Sequence, residues 1–64
     1  MNTTEIIDLK KTLKKCVVYL DTIEMLAEKI KNTENDREKT RYKDMATLCR
    51  NEVVSLLSTV YGNI

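Results

Sequence analysis

The 64 residues carry 11 Lys and Arg against 10 Asp and Glu, a formal charge of +1, with no His, no Pro, one Gly and two Cys. A chain this short buries only roughly 60% of the surface it exposes when unfolded, so its own core is marginal and a second chain is the natural way to complete it. Without His, two thiols do not make a structural zinc set or a base-activated nucleophile, and a charge near zero gives no bulk pull toward nucleic acid or acidic membranes. Hydrophobic residues at 42%, charged residues at 33% and almost no helix breakers point to an all-α fold.

In chain order, Asn2, Thr3 and Thr4 are competent N-caps, Asn2 and Glu5 have capping-box spacing, and Glu5 and Asp8 place negative charge near a positive helix end. A first helix is expected over about residues 4–31. Its seam reads Ile6, Leu9, Leu13, Cys16, Leu20, Ile23, Ala27 and Ile30, the 3-4 alternation of a helix that lies along another helix. Lys31 and the αL-tolerant Asn32 favour a stop.

Residues 32–35 are polar and free of apolar periodicity, and Asn35 with Glu38 repeats the capping spacing. A turn is expected there. One continuous helix of about 55 residues in a parallel coiled coil is the competing reading. The hairpin is preferred because antiparallel helices are joined by about 2 to 8 residues.

A second helix over about residues 36–61 carries the seam Tyr42, Ala46, Cys49, Val53, Leu56 and Val60, widened by Met45 and Leu57, with Gly62 and Asn63 as its end signal. The expected architecture is a single domain over residues 1–64, a two-helix antiparallel hairpin completed by a homodimer or a partner chain. In it Leu13 would sit near Leu56 or Val53 and Leu20 near Cys49.

Not every apolar residue fits these seams. Ile7, Val18 and Met25 project roughly opposite the first seam, Tyr19 and Leu26 lie on a flank, and Val54 and Tyr61 leave the second. Scattered exposed apolar residues are ordinary on small proteins. Their number here favours a docking face for another protein, made of Ile7, Val18, Tyr19, Met25, Leu26, Val54 and Tyr61.

Lys10, Lys11, Lys14 and Lys15 crowd two turns of the first helix, and Arg37, Lys39, Arg41 and Lys43 open the second. The hairpin separates the two groups, acidic residues interrupt the second, and there is no Phe or Trp to stack on bases, so a solvated face is favoured over phosphate binding. Cys16 and Cys49 fall on seam positions as small apolar fillers, expected to be reduced and buried, with no disulfide implied. The carboxylates sit at ordinary helix-surface spacings, no Gly-rich phosphate loop is present, and no catalytic, metal or cofactor site is expected. No window approaches the ~18 apolar residues of a membrane span, and residues 1–5 lack the features of a secretory signal, so the expected location is the cytoplasm.

A first helix opening with Thr and Glu, a polar turn, a second helix beginning at a Tyr-Lys region and the closing apolar run 53–61 with Gly62 and Asn63 resemble the small YscE/EscE-type proteins of bacterial type III secretion. The resemblance covers most of the chain and rests on organisation. It implies a helical hairpin that joins a larger tetratricopeptide-like partner, the pair holding the needle subunit unpolymerised in the cytoplasm. The competing expectations are a Rop-type homodimeric four-helix bundle that binds RNA through its lysines, and a small phage or plasmid regulator of one protein target.

Overall fold

The computed structural model describes residues 2–62 and contains two α-helices, α1 (Thr3–Asn32) and α2 (Asp36–Gly62), joined by Thr33, Glu34 and Asn35. They pack side by side as an antiparallel hairpin about 50 Å long. The ends follow the sequence signals closely. Asn2 caps α1 by accepting from the Glu5 N–H at 2.8 Å, and its amide reaches the Glu5 carboxylate at 3.4 Å. Asn35 does the same for α2, its side-chain oxygen accepting from the N–H groups of Arg37 and Glu38. These bonds occupy amide hydrogens that a helix start leaves without partners.

The exit from α1 differs from expectation. Asn32 is still helical, and the chain passes directly into extended Thr33 (φ −102°, ψ 140°) with no positive φ at any described residue. The Thr33 hydroxyl then donates to the Glu38 carboxylate at 3.1 Å, tying the end of α1 to the first turn of α2. Gly62 is the last described residue of α2. Asn63, expected to help end the helix, lies outside the described residues.

In α2, Tyr42, Ala46, Cys49, Val53, Leu56 and Val60 all turn inward as read from the sequence, with Lys39 extending the series toward the turn, but Met45, expected to widen the seam, is exposed by 43%. The α1 seam is rotated. Leu9, Cys16, Ile23 and Ile30 face α2 as expected, but the row between them is Thr12, Tyr19, Leu26 and Thr33. Ile6, Leu13, Leu20 and Ala27, expected in the seam, are exposed, Leu13 by 44% and Leu20 by 51%. Leu26 is the most deeply buried side chain described, at 1%.

Both rows flank the shared one, at +3 and at +4 residues, so both satisfy a heptad. The turn agrees with the first. Thr33, bonded to Glu38, and Ile30 lie on the side of α1 that faces α2, and heptad steps back from that pair land on Leu26, Ile23, Tyr19, Cys16, Thr12 and Leu9. Thr12 enters the seam at little cost because its hydroxyl donates to the Asp8 carbonyl at 3.1 Å. At the turn end, Lys29 Nζ stands 5.6 Å from the centre of the Tyr42 ring, a cation–π contact that also holds this phase.

Two substitutions at adjacent positions separate the two phases. Leu26→Ala should lower stability in urea unfolding by about 2 to 5 kcal/mol, the range for emptying a well-packed site. Ala27→Glu should change it by no more than about 0.5 kcal/mol, as at an open surface position. The opposite ranking would return Ala27 to the core and restore the +4 row.

Candidate docking face

With the shared row (Leu9, Cys16, Ile23, Ile30) at heptad position a and Thr12, Tyr19, Leu26 at d, the exposed row Ile6, Leu13, Leu20, Ala27 takes position e, directly beside the seam, and Val17 takes b, next outward. In α2, Ala46, Val53 and Val60 are a, and Tyr42, Cys49 and Leu56 are d. Leu57 is then e, and Val54 and Tyr61 are b. In an antiparallel pair the e flanks of both helices share one edge and the g flanks share the other.

The g edge is identified by residues that line common hollows. Lys15, Val18 and Tyr19 meet Glu52 and Leu56, and Asp8, Leu9 and Thr12 meet Thr59. It carries charges of both signs. The e edge is therefore the opposite one, and there Ile6, Leu13, Val17 and Leu20 of α1 join Val54, Leu57 and Tyr61 of α2 in one apolar surface. Leu57 is half-buried and the other six are exposed, Tyr61 by 75%. The surface occupies the open end of the hairpin. Toward the turn the same edge changes to Glu24, Ala27 and Lys31 beside Thr40, Lys43, Thr47 and Arg50.

The residues expected to dock a partner divide into three groups. Val54 and Tyr61 lie on the e-edge surface. Ile7, Val18 and Met25 are exposed but elsewhere, Ile7 on the outer side of α1 and the other two toward the g edge, where Met45 and Leu48 of α2 are also exposed. Tyr19 and Leu26 are corrected: both belong to the seam between the helices, and Leu26 has no free surface to offer. Ile6, Leu13, Val17, Leu20 and Leu57 carry no sequence signal of exposure, because four of them fit in or beside the expected seams and Val17 fits no row.

Lys10, Lys11, Lys14 and Lys15 are all exposed, Lys11 and Lys14 on the outer side of α1, Lys15 on the g edge and Lys10 at the margin of the e edge. Among the described residues no group of three or more His, Cys, Asp or Glu side chains is placed to hold a metal ion, and no helix is long and apolar enough to cross a membrane. Cys16 is buried at 4%, Cys49 is half-buried, and both thiols are free.

Comparison with protein-family models, with curated proteins and with solved structures returns no match.

The unequal burial of the thiols is directly measurable. In native protein Cys49 should react with a thiol reagent well before Cys16, and denaturant should make the two rates converge. Equal, rapid labelling of both would remove Cys16 from the core.

Proposed function

We propose that the chain is a non-enzymatic protein–protein interaction module whose working surface is the apolar e edge at the open end of the hairpin. One observation carries this reading: seven apolar side chains from two helices share one edge of the hairpin, bordered by Lys10 on α1 and by Arg50, level with Leu20, on α2. Six of the seven are exposed by 44% or more, and their grouping on one edge sets them apart from the singly scattered apolar residues of an ordinary surface. Burying each such side chain is worth about 1.5 to 3 kcal/mol at best, so a few of them supply useful affinity.

The specific form of the proposal is the one the sequence resemblance implies. The chain would act as a small type III secretion co-chaperone in the cytoplasm, seated on a tetratricopeptide-like partner, the two keeping a needle subunit from polymerising. The expected hairpin and a groove-sized apolar face support it, since helical repeats present concave surfaces that accept helices.

Co-expression with the tetratricopeptide-like protein and the needle subunit of a type III system, followed by size-exclusion chromatography, tests both levels. Leu13→Glu with Val17→Glu should abolish co-elution. Lys10, Lys11, Lys14 and Lys15 changed together to Gln should alter mainly the association rate and its salt dependence. If the Gln variant lost the complex and the Glu variant kept it, the apolar face would be the wrong surface and an electrostatic partner the right one.

A further inference from the structure

Resting on the docking-face reading, we propose that in the isolated protein the face is covered by a second copy of the chain, laid antiparallel over the open ends so that four helices share one core. Area gives the first reason. A compact monomer of 7.4 kDa exposes about 4,200 Å², and this hairpin exposes 5289 Å². Its radius of gyration of 15.0 Å also exceeds the ~11 Å of a compact chain of its length. The excess, about 1,100 Å², is of the order of the ~800 Å² that each partner of a stable interface buries.

The second reason is width. A helix in a simple hairpin needs apolar residues at a and d, whereas α1 has them at a, d and e with Val17 at b. That is the stripe of a bundle helix with two neighbours.

The third reason is symmetry, which favours a copy over an unrelated partner. In a two-fold contact, if residue i meets j then j meets i, so the surface must match itself reversed. This one does. In α1, Ile6 and Leu20 lie seven residues either side of Leu13. In α2, Val54 and Tyr61 lie three and four residues either side of Leu57. The antiparallel hairpin places Leu13 about level with Leu57, so one axis serves both helices.

A rotation about that axis stacks Leu13 on Leu13 and Leu57 on Leu57 of the other copy. It also sets Ile6 against Leu20, Val54 against Tyr61 and Val17 against the aliphatic stem of Lys10, whose ammonium can still reach water. Charge selects this arrangement over the parallel one. A parallel two-fold overlay lays α1 of each copy on α2 of the other, which would bring Lys31 of each near Lys43 of its mate, set Arg50 on Leu20 and gather the cations of both turn ends at one end. The antiparallel stagger carries both turn ends outward into solvent.

The full-length chain is tested by sedimentation or light scattering and by small-angle scattering. The expected mass is twice 7.4 kDa. At 1.5 Å rise per residue the staggered dimer should measure about 70 Å, against 50 Å for one hairpin. Leu13→Glu with Leu57→Glu should give a monomer that remains helical by circular dichroism. Should that variant fail to fold, disulfide trapping with Cys16→Ala and Cys49→Ala decides. Leu13→Cys should link to its own copy, and Ile6→Cys should link to Leu20→Cys in a mixture but not to itself.

A helical monomer at about 100 μM, a concentration at which a Kd of 1 μM would leave it mostly dimeric, overturns the second-copy proposal. The docking reading survives that result if the Glu variant still loses the tetratricopeptide-like complex. A dimer indifferent to Leu13 and Leu57 but broken by Val18→Glu with Met25→Glu would put the interface on the g edge and overturn both. A dimer near 50 Å long, or one in which Ile6→Cys links to itself, overturns the antiparallel arrangement.

Discussion

A single helix can cover only the side chains that point at it, and α1 carries apolar residues over more of its circumference than one neighbour can reach. Positions d, a, e and b span roughly 150°, against the ~100° stripe that an amphipathic helix turns to one core. Packing α2 on the d and a rows leaves the e row bare. Packing it on a and e would have left Tyr19 and Leu26 bare instead. Either choice leaves an apolar surface, and the existence of that surface is therefore a property of the sequence. Its position is a property of the fold.

Two kinds of information separate what was legible from what was not. Helix ends are local: Asn2 with Glu5 and Asn35 with Glu38 act within one turn, and both caps form where the spacing places them. The α2 seam was legible because its flanks are polar or mixed. Lys43 and Arg50 sit beside it at the positions where α1 has Leu13 and Leu20, so only one row could turn inward. In α1 the +3 row is Thr12, Tyr19 and Leu26 and the +4 row is Leu13, Leu20 and Ala27. Ranking by hydrophobicity prefers the second because of Thr12. The fold takes the first, in agreement with the turn and with a hydroxyl that satisfies itself on the Asp8 carbonyl.

That one rotation accounts for most of the difference at the candidate site. Exchanging the two rows sends Leu26 and Tyr19 from surface to core and brings Ile6, Leu13 and Leu20 from core to surface. Val54 and Tyr61 kept their exposure because α2 did not rotate. Val17 adjoins the e row and becomes part of a surface only once that row is exposed, so no reading that placed Leu13 and Leu20 inward could give it a neighbour.

The reversal between the helices is made without a left-handed residue, a Gly or a Pro, since the chain turns through extended Thr33 and an Asn35 cap. Glu34 and its neighbours could all adopt helical angles without steric penalty, so the bend is relaxed and stores no strain that resists straightening. The folded-back shape is therefore maintained by what the two arms gain from each other and by the bonds of Thr33 and Asn35. A continuous helix through this link would put the two seams on opposite faces of one rod, because the inward positions Ile30 and Lys39 are nine residues apart and not seven. The non-helical link therefore does more than reverse the chain: it resets the rotational phase that lets both seams meet.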